Sequence, residues 1–196
     1  MKAVIVYESM FGATRAVAEA IAEGLRSAAS VATVTVVNIN QAGTTIGADA
    51  DVLIVGGPTH VHGMSRPESR AEAVKWADDP ERTLTLEPEA PGTGVREWLE
   101  SLAESTGARE AAFDTRADFP RILSGAASNA IHKALAKRRY PEAVPSESFL
   151  VTKDGVLEAG EQDRARAWGD AIAAALVGQR LTAEAAPDRE SNGEQP

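Results

Sequence analysis

Ser9-Met10-Phe11-Gly12-Ala13-Thr14 places two hydroxyls, one glycine and the amides of an incipient helix close together, with no lysine among them. Such a loop can hold one phosphate group by hydrogen bonds alone, because a helix N-terminus offers unpaired N–H donors and partial positive charge. The same residues also fit a plainer role, in which Thr14 caps a helix and Gly12 permits a turn. Other phosphate loops match less well. The chain has neither a GxxxxGKS/T run nor a GxGxxG run, and Asn38 stands where a dinucleotide fold tends to place an acid for the ribose. The loop suits one phosphate.

His60 and His62 stand two residues apart, a spacing that serves a metal on an extended segment, but no third histidine or cysteine is near in sequence. His132 reads as a helix-surface residue without a visible role. No nucleophile and base arrangement, no paired carboxylates at motif spacing and no metal cluster accompany the two histidines, so no catalytic residue and no metal site is assigned. The chain has no cysteine, which excludes disulfides, CxxC redox chemistry and thiolate metal sites. Any redox role must therefore use a bound cofactor. Twenty basic and 29 acidic side chains give a net charge of −9, which argues against nucleic acid or an anionic membrane as the main partner. A partner with a basic face is expected instead.

These loops need strands and helices to position them. Residues 3–7 (AVIVY) and 52–57 (VLIVGG) are short, nearly continuous apolar runs, as expected of central strands buried on both faces of a parallel sheet. Residues 31–37 alternate with threonine and suit an edge strand. Residues 110–114 and 147–152 complete five strands. Val17, Ala18, Ile21, Ala22 and Leu25 fall on one helical face, and so do Ala165, Trp168, Ile172, Ala175 and Leu176. Further helices are expected at 66–77, 94–105 and 123–139, the last stopped before Pro141. Trp76, Trp98 and Trp168 lie on such stretches and read as core or helix-packing residues. The charge-rich insert at 79–94 reads as a solvated loop or a partner-docking segment.

Strand and helix alternation at this spacing implies an α/β fold, an open parallel sheet with helices on both faces. Ligands in such sheets sit at the carboxyl ends of the central strands, so loops 8–14, 57–65 and 114–126 carry the site. The length of 196 residues fits one domain, taken as 1–180, with a disordered acidic tail at 181–196. No run approaches the ~20 apolar residues of a membrane span, and the N-terminus reads as a strand rather than a leader, so a soluble cytoplasmic protein is expected.

Ile5-Val6-Tyr7-x-Ser9-x-x-Gly12-x-Thr14-x-x-x-Ala18-x-x-Ile21 resembles the flavodoxin signature at every specified position. Val55-Gly56-Gly57-Pro58-Thr59-His60-Val61-His62-Gly63-Met64 resembles the family's next segment, a glycine-proline-threonine turn that meets the flavin ring. Phe113-Asp114-Thr115-Arg116 and Gly155-x-Leu157-x-x-Gly160-Glu161 look like the segments after the fourth and fifth strands of bacterial flavodoxin-like domains. The resemblance runs from about residue 2 to 178 and omits the insert and the tail. It implies a flavodoxin-like doubly wound five-stranded parallel sheet in the order 2-1-3-4-5.

The resemblance also implies bound FMN, its phosphate on Ser9, Gly12, Ala13 and Thr14 with Met10 and Phe11 in the same loop. The isoalloxazine is then expected between the second loop, Pro58 to Gly63, and the third, Asp114, Thr115 and Arg116. Where many flavodoxins stack tryptophan or tyrosine on the ring, the second loop carries His60 and His62, and the third carries Arg116 and Phe119. Carboxylates near the ring of so acidic a protein would lower the flavin potential.

The function expected on this resemblance is electron transfer with redox partner proteins. Two alternatives stand beside it: an FMN-dependent oxidoreductase acting on NAD(P)H, quinones or porphyrinogens, and a flavodoxin-fold interaction module that has lost FMN. A phosphoreceiver of similar architecture is set aside, because Glu8 stands alone after the first strand and the third strand ends in Gly56-Gly57-Pro58-Thr59 rather than an acceptor aspartate.

Overall fold

The apolar run near the N-terminus is continuous because both of its faces are covered. In the computed structural model, which describes residues 1–60, 63–118 and 125–184, β1 (Lys2–Tyr7) sends Ala3, Ile5 and Tyr7 into one core and Val4 and Val6 into the other. β3 (Val52–His60) divides in the same way, with Val52 and Ile54 on the first side and Leu53 and Val55 on the second. This two-sided burial is the signature of central strands in a parallel sheet. Among the described residues β2 (Thr33–Asn38) pairs only with β1 and lies at the edge, as its threonines suggest.

The chain continues through the two-residue β4 (Gly63–Met64), then β5 (Arg109–Ala117) and β6 (Glu147–Val151). The sheet order is β2-β1-β3-β5-β6, all parallel, with β4 folded back antiparallel on the end of β3. Counting the five long strands alone, this is the expected 2-1-3-4-5 order. The register pairs Tyr7 with both Asn38 and Gly56, and Gly56 with Phe113. The carboxyl ends of β1, β3 and β5 therefore open toward one end of the sheet.

Helices α1 (Ala13–Ser27) and α5 (Glu161–Glu184) cover the first face, where Phe113, Phe149 and Trp168 form an edge-to-face trio with ring centroids 6.2–6.3 Å apart. The two helices touch backbone to backbone. A Cβ on Gly24 would lie 2.0 Å from the Arg166 carbonyl oxygen, and one on Gly169 would lie 2.3 Å from that of Ile21. Helices α3 (Val95–Ser101) and α4 (Ala127–Lys137) cover the second face with Trp98, Leu99, Ile131 and Leu135. The Trp98 indole N–H donates to the Ala42 carbonyl, so Trp98 and Trp168 both pack in the core. Helix α2 (Pro67–Ala77) starts with proline in its first turn, and the Ser69 hydroxyl accepts the Arg66 N–H.

Several boundaries differ from those expected, the helix ends most of all. Helix α3 stops at Ser101 rather than 105, because Leu102 turns to extended backbone and Arg138 takes the carbonyls of Glu100 and Leu102. α4 begins at Ala127, and residues 119–124 lie outside the described residues. α5 runs on to Glu184, so the domain end expected at 180 falls inside a helix. The rest of the expected tail, 185–196, lies outside the described residues. Among the described residues no helix is long and apolar enough to cross a membrane.

Candidate functional site

The first loop begins where β1 leaves the sheet. Gly12 turns it with φ +94°, a left-handed conformation that costs an L-residue roughly 1–2 kcal/mol and costs glycine almost nothing. The Ser9 Oγ accepts the Gly12 N–H at 3.1 Å and draws the loop back on itself. α1 then starts at Ala13 with no side chain capping its first turn and no acid within it. Thr14 does not serve as the cap, because its hydroxyl lies 2.8 Å from that of Thr115, in the neighbouring part of the sheet end. The positive end of α1 is thus left without an anionic or capping partner on its own helix.

Glu8 supports this loop from beneath. Its buried carboxylate accepts the Val95 N–H at 2.8 Å, at the start of α3. Burial pushes its pKa up, and the bonds from Ser65 and the Val95 amide pull it part of the way back. Arg70, itself buried, donates to the Ser65 Oγ at 3.0 Å and pairs with Glu97 at 3.2 Å. A side chain that stands alone in the sequence is therefore the centre of a polar network joining three segments.

Beside the loop lies a cleft of about 290 Å³, near the lower end of the ~300–1,000 Å³ typical of small-molecule sites. Its outer wall is the 79–94 insert, which folds across the strand ends instead of standing off in solvent. The Glu87 N–H donates to the Met10 carbonyl at 2.9 Å. The Asn40 side chain donates to the Glu89 carbonyl at 2.9 Å and accepts the Thr93 N–H at 2.7 Å. Leu86 and Phe11 pack on the buried group Met10, Ala73 and Ala90. Arg82 and Leu84 reach the cleft, where the Arg82 guanidinium lies 5.1 Å from the centre of the Trp76 ring. Trp76, expected in the core, is 38 % exposed and lines the cleft.

The three expected loops converge, with local differences. Met10, Phe11, Ala13 and Thr14 line the cleft; Ser9 is buried below, and Gly12 borders an adjoining hollow that runs along Gly155 to Gly160. Pro58, Thr59 and His60 belong to β3, not to a loop, and also line the cleft. Gly63 pairs with His60 across the short hairpin, with open space where a side chain would stand. Val61 and His62 lie outside the described residues. Burial and the nearby Arg70 charge hold the His60 imidazole below its ordinary pKa, so it is neutral at pH 7.

Asp114, Thr115 and Arg116 likewise lie within β5. Thr115 and Arg116 face the cleft, whereas Asp114 is fully buried and accepts the Ser128 N–H at 2.8 Å. The Thr59 Oγ1 accepts the Ala127 N–H at 2.9 Å. Together these two side chains cap α4. Asp114 thus anchors a helix, and burial raises its pKa against the pull of its hydrogen bonds.

Trp76, Arg82, Leu84 and Lys153 reach the cleft although the motifs do not single them out. Trp76 on α2 and the insert side chains Arg82 and Leu84 match no short motif, so only folding brings them there. The charge of the cleft also departs from expectation. Its ionic side chains are Arg82, Arg116 and Lys153, and no carboxylate lines it among the described residues. An unfilled helix start beside an aromatic and aliphatic slot with cationic edges fits a ligand that joins one phosphate to a flat ring.

The family model for flavodoxin matches residues 5–104. Among solved structures, the chain is similar to a flavodoxin from the domain Archaea, at 21% identity and a TM-score of 0.60, over 90% of this chain and 99% of that one. It is similar to oxidised flavodoxin 1 from Bacillus cereus at 19% identity and a TM-score of 0.60, over 91% and 98% of the two chains. A flavodoxin, WrbA-like protein from Agrobacterium tumefaciens aligns at 19% identity and a TM-score of 0.54, over 90% and 98%. Identities this low show a shared fold. No match is found among curated protein sequences. The family model takes in the first loop, the end of β3 and the insert that walls the cleft, and this chain belongs to the flavodoxin family.

Proposed function

We propose that this protein is a cytoplasmic electron carrier that binds FMN in the cleft, with the phosphate at the start of α1. The observation that carries the reading is the uncapped first turn of α1 behind a left-handed Gly12, opening beside a slot that holds Trp76. FMN supplies the redox chemistry that a chain without cysteine lacks. The protein's residues bind and orient it. The Ser9 Oγ already accepts the Gly12 N–H, so its own proton is available to a phosphate oxygen. The amides of Ala13 and Thr14 add donors along the helix axis.

Trp76, Leu84 and the neutral His60 supply apolar and aromatic surface for a ring, and Arg82, Arg116 and Lys153 set a positive field around it. Among the described residues the cleft has no carboxylate to pair with His60 as an acid and base, which favours a carrier over an enzyme acting on a bound organic substrate. Exposed Asp78 and Glu81 lie on the insert and its approach, so this rim suits a partner with a basic docking face.

The test is the visible spectrum of the purified protein, followed by fluorescence titration with FMN and with riboflavin. Oxidised-flavin bands, phosphate-dependent affinity and electron exchange with a flavin reductase support the proposal. Gly12→Asp places bulk and negative charge at the cradle, and a folded Gly12→Asp protein with unchanged FMN affinity would falsify the phosphate assignment. A colourless protein that ignores FMN is a cofactor-free interaction module. Steady consumption of NAD(P)H with a quinone by the isolated protein makes it an oxidoreductase.

A further inference from the structure

At the opposite end of the sheet from the cleft, three side chains far apart in sequence meet. Glu110 is the second residue of β5, His132 lies on α4, and Glu142 lies in the segment that leads to β6. We propose that Glu110, His132 and Glu142 bind one divalent transition-metal cation of the zinc class.

The backbone sets the two carboxylates side by side. The Glu110 N–H donates to the Pro141 carbonyl at 2.8 Å, and the Glu110 carbonyl accepts the Ala143 N–H at 2.8 Å, which makes Glu110 and Glu142 partners in a parallel bridge. His132 reaches down from α4, with its Nδ1 2.5 Å from the Glu110 Oε1 and 3.6 Å from the Glu142 Oε1. One donor atom from each of the three lies within 4.8 Å of the others. Tetrahedral zinc with bonds near 2.1 Å needs its ligand atoms about 3.4 Å apart, so small side-chain rotations that open the His132–Glu110 contact and draw the two carboxylates together complete the set.

A second observation points to a cation and not merely to an ion pair. The Glu110 side chain is 1 % exposed, and its Oε2 has no hydrogen-bond partner although the other oxygen of the same carboxyl group faces His132. A buried carboxylate with one oxygen unmet is costly, and the imidazole alone leaves that cost standing. A divalent cation would satisfy the carboxylate and the facing Glu142 together, since two carboxylates and a neutral imidazole balance a charge of +2.

The donor set narrows the choice of ion. One imidazole nitrogen with two carboxylates suits zinc or its first-row neighbours, whereas magnesium and calcium take oxygen ligands. His132 and Glu142 are 34 % and 43 % exposed in their side chains, which leaves an entry path and room for water as a fourth ligand. Glu110 and Thr115 are five residues apart on β5, or about 16 Å along the strand, so the ion is separate from the cleft. Its effect is a clip that joins β5, α4 and the approach to β6.

The experiment is a calorimetric titration of the full-length protein, first treated with a chelator, with zinc sulfate and in parallel with magnesium chloride. The expected result is one zinc ion per chain, an unfolding midpoint that climbs with zinc concentration, and no response to magnesium. His132→Gln and Glu142→Gln, both at partly exposed positions, should each weaken zinc binding by at least about tenfold, since even outer-shell partners of a metal are worth that much. Flavin affinity should not change in either variant. No zinc binding at micromolar concentration, or zinc binding that survives both substitutions in folded protein, overturns the site. X-ray absorption at the zinc edge gives a second readout, with nitrogen and oxygen ligands expected and a fully hydrated ion counting against the proposal.

Discussion

The Arg15 Nε meets the Glu87 Oε1 at 2.6 Å immediately beside Gly12, where a Cβ would stand 3.8 Å from that same carboxylate oxygen. The insert thus delivers an anion to the mouth of the helix that would receive a phosphate, and it neutralises the nearest cation in doing so. Glu87→Gln should therefore strengthen FMN binding by a few-fold, on the order of 0.5–1 kcal/mol for a partly screened charge. The gain should shrink at high salt and be missing for riboflavin. Titrations at two ionic strengths decide it, and an equal effect on both ligands would show that Glu87 acts on the shape of the insert instead.

Trp76→Ala should weaken FMN and riboflavin alike, because the indole offers the ring surface and makes no phosphate contact. A loss of roughly 0.5–1.5 kcal/mol is expected for an aromatic pair, with little change in stability since the side chain is partly exposed. A buried core tryptophan would behave in the opposite way, with a stability loss of about 3–5 kcal/mol. Fluorescence titration and thermal unfolding of the same variant separate the two.

Lys153→Glu should lower the midpoint potential of bound flavin. Reduction adds negative charge in the cleft, and the lysine lines it together with Arg82 and Arg116. Reversing its charge should shift the potential downward by tens of millivolts or so at low salt. A potential that stays fixed in spectroelectrochemical titration would mean that the ammonium group does not sense the ring.

Asp114 carries a pH prediction. Burial raises its pKa in the folded state above the ordinary aspartate value, so the folded protein holds this proton more tightly than the unfolded chain does. Its contribution to stability is fully present below the ordinary value and is lost as pH rises through the raised one. Asp114→Asn keeps an acceptor for the Ser128 N–H and removes the titration. Its denaturation free energy should fall less steeply with pH across that window than the parent's, with remaining slope from Glu8 and Glu110, which burial shifts in the same direction. Parallel curves for the two proteins would rule this out.

The sheet was legible because apolar runs covered on both faces look alike wherever they occur, as at Val4 to Tyr7 and Val52 to Val55. The first loop was legible because its hydroxyls, glycine and helix start are contiguous. The wall of the cleft was not. Trp76 sits on a helical stretch and looks like a core residue until Arg82 and Leu84 are folded across from it. Asp114 sits at the expected strand end, where a ring contact is the natural expectation, but alternation along β5 turns it to α4 while Thr115 turns to Thr14. Glu110, His132 and Glu142 share no local pattern; the bridge between Glu110 and Glu142 brings them together only after the sheet has formed.

The close approach of α1 and α5 at Gly24 and Gly169 also bears on the order of events during synthesis. The residues proposed to cradle the phosphate are translated before most of the sheet, yet the helix that packs on α1 is made after every strand of it. Until α5 arrives, the face of α1 that carries Gly24 has no backbone to rest against, and the sheet alone holds the helix. Competence to hold a cofactor should therefore appear late and all at once. A nascent chain arrested before Gly169 would be expected to have its cradle residues translated and still fail to retain a flavin.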